Sequence, residues 1–200
     1  MESFLITGLG NPGILYKNTR HNIGFKAIES LAKKYSLVFK KNKKLKSLIA
    51  EGIIFEKKVI LQLPQTYMNE SGSALRLVKD FYKINLENIL VVVDDADINF
   101  EEFRIKEKGS SAGHNGLKNI EENLNTKDYA RLKFGIGKEE NLKSFVLKRF
   151  DKKETKILEE LLDKAIKIIE LWLTDGITKA QNFANVKIKK DKSNNEDKNE

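Results

Sequence analysis

Short apolar runs alternate along the chain with longer stretches in which apolar residues recur every three to four positions, the pattern of an α/β domain. Residues 3–8 predict a buried strand that enters a turn-rich loop, Leu9-Gly10-Asn11-Pro12-Gly13. Over 22–35, Ile28, Leu31, Ala32 and Tyr35 fall at i, i+3, i+4 and i+7, which turns one helical stripe towards a core. Residues 48–55 and 58–63 predict a hairpin around Glu56-Lys57, and 73–82 returns to helical spacing through Leu75, Val78 and Tyr82. The β-branched run at 88–93 marks a central strand covered on both faces, and it ends in Asp94-Asp95. Strands at 103–107 and 129–136 bracket a Gly/Ser loop (109–116) and a short helix with Leu117, Ile120 and Leu124 in phase. A long helix over 153–173 carries Leu158, Leu161, Leu162, Ala165, Ile168, Ile169 and Trp172 on one stripe; Asp175-Gly176 ends it, and 177–184 forms a last helical segment. The sum is one α/β domain over residues 1–186 with a mixed sheet between helical layers. Residues 187–200, almost all charged or Asn, predict a disordered tail.

Composition narrows the chemistry. No apolar stretch approaches the ~18 to 20 residues that span a bilayer, and the N-terminus is too short and too acidic for a signal peptide, so a soluble, cytoplasmic protein without a membrane partner is expected. Cys is absent, which removes disulfides, thiol nucleophiles and Cys-based metal sites. The two histidines, His21 and His114, are far apart in sequence, and no His-rich metal site is expected. The formal net charge of +8 favours a polyanionic partner, although a solubility charge gives the same sum. Its densest piece is 31–50, where Lys33, Lys34, Lys40, Lys41, Lys43, Lys44 and Lys46 stand without an acid between them. A solvated face and an RNA-contacting one both fit this run.

Candidate chemistry sits in the loops. Gly8-Leu9-Gly10-Asn11-Pro12-Gly13 matches G-x-G-x-x-G after a strand, but a dinucleotide site needs a helix to start at once; here Pro12-Gly13 opens a turn and helical spacing waits until about Asn22. His21 lies beside that helix start, where the helix dipole is expected to lower the imidazole pKa and keep a neutral base available. Asp94 falls at the carboxyl end of a central strand, where ligands sit in open α/β sheets, so a His–Asp couple is conceivable, though the spacing does not show contact. Asn69 follows another strand, and Asn115 stands on a loop whose backbone N–H groups at a helix start could hold an anion. Either loop could also be a plain turn. If the strands run parallel, Asn11, His21, Asn69, Asp94 and Asn115 converge on one edge.

Taken together these segments resemble the bacterial-type peptidyl-tRNA hydrolases. The likeness rests on Gly8-Leu9-Gly10-Asn11-Pro12-Gly13 with Tyr16, Thr19-Arg20-His21-Asn22, Pro64-Gln65-Thr66-Tyr67-Met68-Asn69, Asp94-Asp95, Gly113-His114-Asn115-Gly116-Leu117-Lys118 and Trp172-Leu173-Thr174-Asp175-Gly176, in the family's order. Departures are small: Ser110-Ser111-Ala112 stands where the family often has more glycine, and Lys133 where some members have Arg, a point charge in place of a forked donor.

The resemblance implies a monomeric three-layer α/β/α domain with a mixed, mostly parallel sheet. It further implies hydrolysis of the ester between peptide and tRNA in peptidyl-tRNAs released prematurely from ribosomes, which recycles the tRNA without cofactor or metal. Carried over by motif, His21 is the general base that activates water and Asp94 supports its imidazole. Asn69 and Asn115 bind the substrate's terminal region and donate to the developing oxyanion, and Asn11 holds the peptide. Tyr16 and Met68 form apolar walls, with a structural role for Met68 equally open. Lys106 and Lys133 form a phosphate clamp for the tRNA terminus, with two solvated lysines as the alternative. Two further readings stay open: a non-catalytic RNA-binding relative, which the presence of His21, Asp94, Asn69 and Asn115 disfavours, and an oxidoreductase.

Overall fold

In the computed structural model, which describes residues 2–185, β1 (Ser3–Gly8) lies at the centre of a seven-stranded sheet. The other strands are β2 (Lys40–Asn42), β3 (Ser47–Ile54), β4 (Lys57–Pro64), β5 (Ile89–Asp95), β6 (Phe103–Lys106) and β7 (Ala130–Gly135). Their order is β2-β3-β4-β1-β5-β7-β6. The inner four, β4, β1, β5 and β7, pair in parallel, while β2–β3, β3–β4 and β6–β7 pair antiparallel. Five strands therefore run one way, and β3 and β6 oppose them. The mixed sheet is as expected, with its parallel pairing confined to the centre.

Alternation along the strands divides the core into two layers. Phe4, Ile6, Leu90 and Val92 face one side, where they pack with α1 (Ile23–Lys34), α5 (Lys152–Asp175) and α6 (Ile177–Ala184). Leu5, Val91 and Val93 face the other, against α2 (Ser71–Tyr82) and α3 (Asn115–Leu124). At the start of α5, Asp151 accepts from the backbone N–H groups of Lys153 and Glu154 while Glu154 accepts from the Asp151 N–H, a reciprocal cap that fixes where the helix begins.

Two elements have no signature in the hydrophobic pattern: β2 and α4 (Leu142–Phe145). Neither is long enough to display a period. The single turn of 3-10 helix at Arg20–Asn22, which leads into α1, is equally short. The tail expected over 187–200 lies outside the described residues. No helix among the described residues is long and apolar enough to cross a membrane.

Candidate active site

Because β1, β4, β5 and β7 share a direction, their carboxyl ends form one edge, and the loops leaving that edge meet. Asp94 is the next-to-last residue of β5, and its side chain is nearly inaccessible. The turn Arg20–Asn22 brings His21 against it: His21 Nδ1 lies 2.9 and 3.0 Å from the two carboxylate oxygens. With Nδ1–H donating to Asp94, the lone pair of Nε2 is left for other work. This approach depends on Gly24, because a Cβ there would stand 2.4 Å from the Val92 carbonyl oxygen and 2.5 Å from the Leu9 nitrogen. Gly24→Ala is expected to cost about 1–3 kcal/mol in urea denaturation, by overpacking backbone against backbone. It should also lower turnover, since α1 must back away and carry His21 off Asp94; an unchanged midpoint and rate would show that the close fit is dispensable.

His114 completes the arrangement. Its Nδ1 accepts from the N–H groups of Gly116 (3.2 Å) and Leu117 (3.3 Å), capping α3. That assigns the proton to Nε2, which donates to Asp94 Oδ1 at 3.1 Å. The buried carboxylate thus accepts from two imidazoles whose rings lie 5.0 Å apart. Of the N–H groups expected to be free at this helix start, those of Gly116 and Leu117 are taken by His114 and are not available to an anion.

The electrostatics reverse one expectation. Burial, the largest single influence on His21, lowers its pKa, but the charge of Asp94 and the hydrogen bond to it outweigh burial, and the pKa is raised above 6.5. The carboxylate next to the ring overrides the helix start. Burial would raise the Asp94 pKa, yet the charge of His21 and the hydrogen bonds from both histidines hold it well below the usual carboxylate range.

A cleft of about 620 Å³ opens over this cluster. Asn11, Met68, Asn69, Asn115 and Lys133 line it, as do Tyr67, Leu142, Val146 and Leu147. Asn11 is tied down by Asn22, whose side chain accepts from its N–H (2.9 Å) and donates to its carbonyl (2.8 Å). Asn11 Oδ1 accepts from the Met68 N–H at 2.8 Å. Its amide nitrogen makes no hydrogen bond among the described residues. Asn69 and Asn115 are exposed at the rim. Met68 is buried and packs in the core layer of α2 and α3, so it forms the floor of the cleft and part of the core at once.

Of the other expected residues, Tyr16 and Lys106 are not among those that line the cleft, and Lys133 lines it with its charge already engaged. Tyr16 packs edge-on against Tyr67, ring centroids 6.5 Å apart, and Tyr67 provides the wall. Lys133 Nζ is paired with Asp95 at 2.7 Å and is largely buried. Lys106 is exposed on the same face of the neighbouring strand, two residues further from the carboxyl edge, since Lys133 pairs with Arg104 and Arg131 with Lys106. The apolar wall of Leu142, Val146 and Leu147 has no sequence signature, because it belongs to a one-turn helix and an irregular segment. Backbone bonds from Arg20 to Lys148 and from His21 to Val146 dock it on the turn that carries His21. The Arg20 guanidinium adds a two-oxygen pair with Glu154 (2.9 and 2.6 Å) and lies over the Phe145 ring.

His21, Asp94 and His114 offer ligand atoms within 4.8 Å of one another. Two imidazoles and a carboxylate are a donor set that zinc accepts. Here, however, both nitrogens facing Asp94 are hydrogen-bonded to it, and the remaining His114 nitrogen caps α3, so a cation would have to break bonds that hold the site together.

An imidazole backed by a buried carboxylate, under a cleft rimmed with amides, is equipped to draw a proton from water beside an acyl group; fold and site define an α/β enzyme of the hydrolytic class. Comparison with known proteins makes the class specific. The family model of peptidyl-tRNA hydrolase matches residues 5–194, and the chain belongs to that family. Peptidyl-tRNA hydrolase of Clostridium acetobutylicum is 45% identical over 183 residues, covering 91% of this chain and 97% of the relative. That of Finegoldia magna is 49% identical over 174 residues, covering 84% and 91%. Among solved structures, peptidyl-tRNA hydrolase from Acinetobacter baumannii superposes with a TM-score of 0.86 at 36% identity, covering 91% of this chain and 94% of that one.

Proposed function

We propose that this chain hydrolyses the ester between peptide and tRNA with His21 as general base and Asp94 as its support. The observation that carries the mechanism is the Nδ1 contact to a buried carboxylate, which leaves His21 Nε2 as an acceptor. Water loses a proton to Nε2 as its oxygen attacks the ester carbonyl. The imidazolium, held by Asp94, then returns that proton to the departing ribose oxygen, leaving a free peptide acid and a tRNA hydroxyl. General-base assistance of this kind supplies roughly 10²- to 10⁴-fold. Asn69 and Asn115 serve as donors to the developing oxyanion, and losing one such donor costs about 3 kcal/mol of transition-state stabilisation. Asn11 offers its amide N–H to the peptide, while Tyr67, held by Tyr16, and Leu142, Val146 and Leu147 cover its apolar parts. Lys133 meets a phosphate only by exchanging Asp95, with Lys106 further out on the same face.

The proposed step uses no metal: His21 Nδ1 and His114 Nε2 are bonded to Asp94, His114 Nδ1 caps α3, and His21 Nε2 is left for the water. In this reading the enzyme acts as a cytoplasmic monomer on peptidyl-tRNA released prematurely from ribosomes. The experiment is release of an N-acetylated amino acid from N-acetyl-aminoacyl-tRNA with EDTA present, beside the unacetylated charge. Rapid release from the blocked substrate alone, unaffected by the chelator, is the expected result. Chelator-sensitive release would put a metal into the mechanism, and tRNA binding without release would favour the RNA-binding relative.

A further inference from the structure

The lysine run at 31–50 is split by the fold into two places. Lys33 and Lys34 end α1 at the amino edge of the sheet, away from the cleft. Lys40, Lys41, Lys43, Lys44 and Lys46 belong to β2 and the turn into β3. Since β2 opposes β3 and β3 opposes β4, β2 runs with β4, and the turn stands at the carboxyl edge, the edge that carries the catalytic cleft. The Lys46 carbonyl accepts from the Gln65 N–H at 2.7 Å, and two residues on, Tyr67 lines the cleft. The turn therefore flanks the site on the side opposite Lys133.

This turn is mounted rigidly and its charge is uncompensated. Leu45 is buried between the exposed lysines. A buried chain of hydrogen bonds runs from Thr7 in β1 to Gln62 (2.8 Å), from Gln62 to Ser47 (2.9 Å) and from Ser47 to the Leu45 carbonyl (2.8 Å). Among the described residues none of these five lysines forms an ion pair. Like charges held together on a fixed turn repel one another and raise the local concentration of a polyanion.

We propose that the turn carrying Lys43, Lys44 and Lys46 is a second contact for the RNA backbone of the substrate, on the β2 flank of the cleft, an inference that rests on the peptidyl-tRNA reading. Lysine contacts to phosphate position an RNA without reading its sequence, and each releases counterions, so the contribution is visible as salt dependence. The test compares kcat/KM against salt for the intact protein, the Lys43→Gln/Lys44→Gln/Lys46→Gln variant and its Arg counterpart. A control variant, Lys33→Gln/Lys83→Gln/Lys127→Gln, removes the same charge from the amino edge. Substrates are N-acetyl-aminoacyl-tRNA and the N-acetyl-aminoacyl ester of adenosine.

At low salt the Gln variant is expected to lose on the order of tenfold in kcat/KM on tRNA, with kcat within twofold and a log–log salt slope shallower by about 2. The Arg variant should restore both, and cleavage of the adenosine ester should not change. Parallel salt lines, or an equal loss in the control variant, would overturn the second contact and leave the hydrolase reading standing. Failure of the intact protein to cleave either substrate would overturn the hydrolase reading and this inference with it.

Discussion

Replacing His21 with Ala is expected to lower kcat on N-acetyl-aminoacyl-tRNA by roughly 10²- to 10⁴-fold while tRNA affinity stays within about twofold. In the proposed mechanism His21 Nε2 takes the proton from water, whereas the surfaces assigned to RNA lie elsewhere. His114, the other imidazole, is spent: one nitrogen caps α3 and the other donates to Asp94. It cannot take over as base without uncapping the helix. The comparison is single-turnover cleavage beside filter binding of uncharged tRNA. A His21→Ala enzyme that kept a tenth of its rate would remove His21 from the mechanism; lost rate with equally lost affinity would mean that His21 serves binding.

Asp94→Asn should cost a similar factor, about 10³- to 10⁴-fold in kcat, and should also move the pH profile. Only neutral His21 accepts a proton, so kcat/KM of the intact enzyme rises with pH through the His21 pKa, with its midpoint above 6.5 because Asp94 raises it. Without the carboxylate charge, burial acts on the imidazole unopposed and lowers its pKa. The residual activity should therefore have its acid limb at lower pH than the intact enzyme. A midpoint that does not move would mean that Asp94 does not set the basicity of His21.

The same pair predicts a pH-dependent stability. The Asp94 pKa is depressed in the folded chain, so its contribution is present above the unfolded value of about 4 and is lost as pH falls through the depressed one. The His21 pKa is raised, so its contribution is present below about 6.5 and is lost as pH rises through the folded value. These are two sides of one interaction. The stability gap between the intact protein and Asp94→Asn should be widest between about pH 4 and 6.5 and narrow towards alkaline pH.

Much of this was legible in one dimension. Short apolar runs and the β-branched stretch ending at Asp94 located the central strands, and the stripe through Leu158, Leu161, Leu162, Ala165, Ile168, Ile169 and Trp172 located α5. Asn11, His21, Asn69, Asp94 and Asn115 stood out because each lies where a strand ends or a helix begins, and side chains at those places face the end of the sheet. Their motifs, in order, carried the family. Such features are local, written in the spacing of a few residues.

Pairing across the sheet was not local. Whether His21 touched Asp94 depended on α1 approaching β1 and β5 closely enough to need Gly24, and the direction of the imidazole pKa shift followed from that contact. His114 was recognisable within a motif, but its double duty as helix cap and Asp94 partner required three loops to meet. The wall of Leu142, Val146 and Leu147 was hidden because so short a segment has no period, and only its docking on Arg20 and His21 gives it a place. Charge had the same limit: one uninterrupted run of lysines became two separate surfaces, because a helix carried Lys33 and Lys34 to one edge of the sheet and strand β2 carried the rest back to the other. The sequence by itself determined which elements form and which residues end them; strand order and direction decided which of those ends became neighbours, since chain spacing holds no information about partners that are distant in sequence.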